Sequence, residues 1–264
     1  MAQSYGSFET LDVTVEDHIA RVAINRPDNL NAINIVLYED IFQAFRNIND
    51  DTSAWVAILT GNGRAFSVGA DLKERQTMTK ADVQRRRRLA PLMFGAMSAA
   101  RCPVIAAING FAFGGGFELA LACDVLVASE NAEFSLPETR LGVIPAGGAT
   151  QRLSRMIGVH KAKEVILTGR KMTARQIFDL GILNRLTPEG EAERVAREIA
   201  EEMKQSAPMA LTQAKKAVNA SMNIGLDIGL QFEAEAYQAC LASKDRDEGL
   251  AAFREKRKPR YTGE

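Results

Sequence analysis

Ile108-Asn109-Gly110-Phe111-Ala112-Phe113-Gly114-Gly115-Gly116-Phe117-Glu118-Leu119 is the stretch whose reading decides the fold. It opens on the end of an unbroken apolar run, Val104 to Ile108, and such a run predicts a buried strand. Three consecutive glycines follow, then a helix-like segment from Phe117 to Cys123. Glycines at a strand-to-helix junction let a ligand come close to the backbone, because no Cβ stands in the way. The free N–H groups of a helix start carry partial positive charge. They can hold an anion, or an oxygen that becomes one during a reaction. Glu118 follows the glycines with one residue between, so a carboxylate stands beside that site. The competing explanation is a tight turn with a capping acid.

Working outward, Trp55 to Thr60 is a second apolar run of the buried-strand type. It leads into Gly61-Asn62-Gly63-Arg64-Ala65-Phe66-Ser67-Val68-Gly69-Ala70-Asp71-Leu72-Lys73. Phe66 stands where a dinucleotide fingerprint needs its third glycine, so that motif is set aside. Gly110 to Gly115 has phosphate-loop spacing, but Gly116 and Phe117 replace the required Lys and Ser/Thr. Ahead of these lie an expected hairpin, Leu11 to Glu16 with Ile19 to Asn25, and a helix from Asn34 carrying Ile35, Tyr38, Ile41, Phe42, Phe45 and Ile48. Thr77 to Ala100 reads as a helix broken near Pro91. It contains Arg85 to Arg88, either a solvated face or an anion-binding patch for a ligand phosphate or RNA.

After the glycines, Asp124 to Ala128 predicts another strand, and the alternation of strand and helix points to an α/β fold with right-handed crossovers. Pro137 fits a helical first turn and is followed at once by a second carboxylate, Glu138. Leu141 to Gly148 reads as a loop, Thr150 starts a helix, and Asn184 to Thr187 is a last short strand. Beyond Pro188 the pattern is helical, which places a domain boundary near Glu189, with a core over 1–189 and a helical region over 190–264.

The chain has 264 residues, 46% apolar and 25% charged, with a formal net charge of zero. That balance implies no bulk attraction to nucleic acid or membrane. Cys102, Cys123 and Cys240 are dispersed and odd in number, which suits a reducing, cytoplasmic setting. The two histidines, His18 and His160, are isolated, so no metal site is expected. Neither a signal peptide nor an 18-residue apolar span is expected. Ala70 and Gly115 each lie in a small-residue loop after an apolar strand. Two such N–H donors converging would make an oxyanion hole for a thioester or similar carbonyl, and Glu118 and Glu138 could move protons beside it. No G-x-S-x-G elbow offers a nucleophilic alternative.

Several motifs together resemble the enoyl-CoA hydratase/isomerase (crotonase) superfamily over nearly the whole chain. They are Asn25-Arg26-Pro27 with Asn31-Ala32-Ile33-Asn34, Gly63 to Lys73, Asn109 to Leu119, Pro137-Glu138-x-x-Leu141-Gly142-x-x-Pro145, and Thr150-Gln151-Arg152-Leu153. The resemblance implies a spiral of ββα units with a C-terminal helical trimerisation region, a homo-oligomer (a trimer, or a hexamer built as a dimer of trimers) and an acyl-CoA thioester substrate. By position, Ala70 and Gly115 resemble the oxyanion-hole donors, and Glu118 and Glu138 the paired glutamates of the hydratases. Ala70, Asp71, Leu72 and Lys73 resemble the loop that grips CoA, and Phe253 and Lys256 resemble C-terminal residues that reach it from a neighbouring subunit. The implied activity is hydration of a 2-enoyl-CoA, with no cofactor beyond the coenzyme A of the substrate. A relative working with one carboxylate would be a double-bond isomerase; the presence of both glutamates argues for the hydratase, and Arg85 to Arg88 alone would support RNA binding. Two departures stand out: Val68 replaces the usual small residue before Gly-Ala-Asp, and Pro145-Ala146-Gly147-Gly148-Ala149 permutes the commoner Pro-Gly-Ala-Gly-Gly.

Overall fold

A computed structural model of the chain describes residues 3–4 and 6–264. Strand β1 (Gln3–Ser4) pairs antiparallel with β2 (Leu11–Glu16), and β2 with β3 (Ile19–Ile24). The alternation in β2 resolves as expected: Leu11, Val13 and Val15 are buried, while Asp12, Thr14 and Glu16 face solvent. Helix α1 (Ile35–Asp50) is capped by Asn34, whose side chain accepts from Leu37 N–H at 2.9 Å.

Three main strands are each followed at once by a short one. These pairs are β4 (Val56–Gly61) with β5 (Ala65–Ser67), β6 (Val104–Ile108) with β7 (Phe111–Phe113), and β8 (Val125–Ser129) with β9 (Glu133–Ser135). The longer strands continue the first sheet in the order β1-β2-β3-β4-β6-β8-β11, parallel from β3 onward, with β11 at Arg185–Thr187. The short ones form a second sheet, β10-β9-β7-β5, with β10 at Met172–Thr173. Each pair leads on to helical segments, so the chain winds as repeated ββα units, as expected from the resemblance.

The apolar runs of β4 and β6 are continuous because both faces are covered. Ala57, Leu59, Val104, Ala106 and Ile108 enter the main core with α1. Val56, Ile58, Ile105 and Ala107 face the other way, onto Ala192, Ala196 and Ala200. Those alanines belong to a helix that follows Glu189, so one sheet face is closed by chain from beyond that residue.

Helix α2 (Leu72–Thr77) starts from Asp71 as its cap, and α3 (Lys80–Ser98) from a Thr79–Asp82 capping box. The expected break near Pro91 does not occur: α3 runs through it. Pro91 faces solvent, so its ring displaces nothing in the core, and Met93, Phe94 and Met97 beyond it are buried and hold the second half in line. Helix α4 (Gly115–Leu121) starts two residues earlier than the Phe117 expected, at the second of the three glycines. A 3₁₀ turn, Pro137–Leu141, carries Glu138. Helices α5 (Ala149–Ile157), α6 (Val159–Thr168), α7 (Ala174–Asp179) and the sheet-covering α8 (Ala192–Met203) follow. Then come α9 (Pro208–Ala220), α10 (Leu226–Leu241) and α11 (Lys244–Glu255). Lys215 of α9 is tied to the core by Asp124 at 2.7 Å and by the Cys102 carbonyl at 3.0 Å. Among the described residues no helix is long and apolar enough to cross a membrane.

Candidate active site

The loop after β5 is fixed by the turn before α1. Asn31 is fully buried, and its side-chain amide donates to the carbonyls of Asn62 at 3.0 Å and Ala65 at 2.7 Å. Ile33 N–H then donates to Gly69 carbonyl at 2.7 Å, and Asp71 N–H to Ile33 carbonyl at 3.0 Å. That bridge uses the groups on either side of Ala70 and leaves the N–H of Ala70 pointing away from Ile33.

The second loop meets it there. Gly115 is the first residue of α4, where helix geometry supplies no partner for the N–H. A Cβ on Gly69 would lie 2.8 Å from Gly115 N, and one on Gly115 would lie 4.0 Å from Ala70 N. The two amides are therefore neighbours, and their approach requires glycine at 69, where φ is +80°.

Glu118, in the first turn of α4, is only 3% exposed. Its Oε1 accepts from the N–H of Gly147 at 2.7 Å and of Ala149 at 3.0 Å. Arg152 braces the same loop by donating to the Gly147 carbonyl at 2.8 Å. A Cβ on Gly147 would lie 2.8 Å from Glu118 Oε2 and collide with the Phe94 ring, so the carboxylate is clamped between α3 and this loop. Burial raises the Glu118 carboxyl above its ordinary range, with the Ala149 and Gly147 amides and the Arg152 charge offsetting only part of that push.

Glu138 differs. Its Oε2 is buried and has no hydrogen-bond partner in the chain. A Cβ on Gly114 would lie 2.9 Å from its Oε1, so this carboxyl also faces the start of α4. Burial, its leading cause, and the neighbouring Glu118 charge push it up to about 7, against the pull of its own backbone N–H and of Arg75.

The four residues Ala70, Gly115, Glu118 and Glu138 thus converge on one helix start. Asp71 does not face it freely: it caps α2 and pairs with Arg26 at 3.1 Å. Burial opposes the Asp71 charge, but Glu74 N–H and Arg26 outweigh burial and hold the carboxyl below its ordinary range. Leu72 and Lys73 are exposed in the first turn of α2, a helix where the resemblance implied a loop. Phe253 on α11 is 84% exposed, and Lys256 ends that helix in a left-handed conformation. No hydrogen bond or ion pair among the described residues ties either to the four-residue cluster. His18 stacks on Trp55 and shares a 2.8 Å bond with Ser53 carbonyl; His160 is exposed.

Reading by residue type missed the anchors of Glu118. Gly147 and Ala149 act through backbone N–H groups, and Arg152, 34 positions after Glu118 in the numbering, enters through a contact that no local pattern encodes. The permuted Pro145–Ala149 loop and the Thr150-Gln151-Arg152-Leu153 motif were the available signals, and together they form the segment that holds Glu118. Tyr38 read simply as one of the periodic apolar positions of α1. Among the described residues no group of three or more His, Cys, Asp or Glu side chains could hold a metal ion.

A family model described as enoyl-CoA hydratase/isomerase matches residues 14–264. A probable mitochondrial enoyl-CoA hydratase 2 of Arabidopsis thaliana is 44% identical over 93% of this chain and 82% of its own length. The short-chain-enoyl-CoA hydratase of Clostridium acetobutylicum is 38% identical over 92% of this chain and 94% of its own. A crystal structure of enoyl-CoA hydratase from Bacillus anthracis superposes with a TM-score of 0.94 at 41% identity, covering 97% of this chain and 100% of that one. By sequence, fold and the arrangement of its loops, the chain belongs to the enoyl-CoA hydratase/isomerase family.

Proposed function

We propose that this chain is a 2-enoyl-CoA hydratase, a hydro-lyase that adds water across C2 and C3 to give a 3-hydroxyacyl-CoA. One observation carries the reading: the buried carboxyl of Glu118 and the half-buried carboxyl of Glu138 flank one helix start in unlike surroundings. The thioester oxygen accepts from the N–H groups of Ala70 and Gly115, which polarises the enoyl system and makes C3 electrophilic. Glu118, oriented by two amide donors, takes a proton from a water that attacks C3. Glu138, raised to about 7 and therefore still partly protonated at neutrality, delivers a proton to C2. The negative charge passing through the thioester oxygen is carried by the two amides, each worth about 3 kcal/mol in such sites. Coenzyme A enters as part of the substrate, and the mechanism calls on no other cofactor. The relatives' names supply the substrate class.

CoA is gripped by Ala70 to Lys73 and, in a homo-oligomer, by Phe253 and Lys256 of a neighbouring copy. Trimers, alone or paired as a hexamer, are the assembly proposed, and the chain works in the cytoplasm.

Hydration of crotonyl-CoA by single glutamine variants tests the mechanism. Glu118→Gln and Glu138→Gln should each lower kcat by about 10²–10⁴-fold with little change in KM. Either variant hydrating within about threefold of the parent would sink the two-carboxylate reading. A one-carboxylate isomerase would instead lose 3-enoyl-CoA isomerisation in one variant and keep it in the other.

A further inference from the structure

The arginine run of α3 is not uniform. Arg85 pairs with Glu39 at 2.6 Å on the surface, and Arg87 and Arg88 are exposed. Arg86 turns inward. It lies on the same helical face as Met93 and Met97, seven and eleven residues on, both fully buried. Its Nε is buried without a hydrogen-bond partner. Tyr38, 6% exposed on α1, lies close enough for its hydroxyl to sense the Arg86 charge. The same hydroxyl feels the charges of Arg75 and Glu118.

A half-buried guanidinium whose Nε has no hydrogen-bond partner is poorly compensated. Arg presents a planar fork of donors matched to a carboxylate, and such a pair is strong where water is excluded. The position is equally specific. Two turns along α3, Phe94 touches Gly147 beside Glu118, so this helix walls the side of the site where the acyl group reacts. We propose that Arg86, with Tyr38, forms the far end of the acyl pocket and receives a carboxylate at the end of the acyl chain. The preferred substrates are then 2-enoyl thioesters of dicarboxylic acids rather than plain fatty ones. This rests on the hydratase reading and deepens it. Arg86 sets specificity and stays clear of the reacting carbons.

The test compares crotonyl-CoA with glutaconyl-CoA, which adds one terminal carboxylate, as substrates of the parent, Arg86→Met and Arg86→Lys. The parent should favour glutaconyl-CoA by about tenfold or more in kcat/KM, and Arg86→Met should cut that ratio by about 30-fold, mainly through KM, with Arg86→Lys between. Calorimetry of the parent should show glutaryl-CoA binding more tightly than butyryl-CoA, a readout independent of any variant's folding. An unmoved ratio, with both thioesters weakened alike, would mean that Arg86 meets a phosphate of CoA, and the assignment falls. Equal binding of glutaryl-CoA and butyryl-CoA overturns it too. If neither enoyl thioester is hydrated while glutaryl-CoA binds in an Arg86-dependent way, the hydratase reading fails and the carboxylate site stands.

Discussion

Glu118 and Glu138 are the same side chain in two solvents. Glu118 has two amide donors and a nearby guanidinium; Glu138 has a buried oxygen with nothing opposite it. Their protons therefore separate, and the proposed base and acid follow from surroundings alone. The pH profile of kcat/KM should fall on the alkaline side with an apparent pKa near the value of about 7 to which Glu138 is raised. Because the two carboxyls interact, that value belongs to the pair. A flat profile from pH 6 to pH 9 would contradict the acid role. Stability responds to the same proton. The native state retains it where the unfolded chain, with an ordinary glutamate, has released it, so this contribution is present at low pH and is lost as pH rises through about 7. Urea unfolding at pH 5 and pH 8 should show Glu138→Gln flattening that dependence and gaining stability at pH 8.

At the scale of elements, α3 is the instructive case. Proline in a helix interior removes a donor and crowds the preceding turn, and the cost relative to alanine is about 3 kcal/mol. α3 keeps Pro91 because the ring faces solvent while Met93, Phe94 and Met97 anchor the turn beyond it. Pro91→Ala should restore the N–H and raise stability by about 1–2 kcal/mol, part of the gain being offset by a freer unfolded chain. Thermal unfolding checks this, and a lower melting temperature would show that the ring contributes packing that its exposure does not reveal. The short strands β5, β7 and β9 make the same point from the other side. Three residues carry no readable period, yet they form the second sheet and set Ala70, Gly115 and Glu138 beside one another.

For the whole molecule, the C-terminal helices leave apolar side chains uncovered. Leu226 is 76% exposed, and Val218, Ile228, Leu230, Tyr237 and Phe253 are exposed with it. Surfaces of this kind are covered by partners in most soluble proteins. Light scattering at micromolar concentration should give a trimer or hexamer, and a stable, fully active monomer would refute the proposed packing. Lys256→Ala belongs to the same scale, since the proposed CoA contact needs a second copy. It should raise KM for CoA thioesters and leave kcat near the parent value, as expected for a phosphate contact held equally in ground and transition states. A reduced kcat at unchanged KM would remove Lys256 from the CoA site.

What the sequence determined by itself was local or periodic. Apolar runs marked the buried strands, steps of three and four marked α1, and Asn34, Pro137 and the glycines marked starts and turns. Those signals act within a few residues, so they survive in one dimension. Together with the resemblance they carried Ala70, Gly115, Glu118 and Glu138, which the fold gathers at one helix start. The tertiary structure alone decided which groups surround each carboxyl. Glu118 is anchored 29 and 31 residues away, by Gly147 and Ala149. Arg86 is turned inward with its Nε buried and unpartnered, and α3 survives its proline because of what packs beneath it. Charge and burial are set by neighbours in space, and a difference between two glutamates has no imprint in their own sequence context.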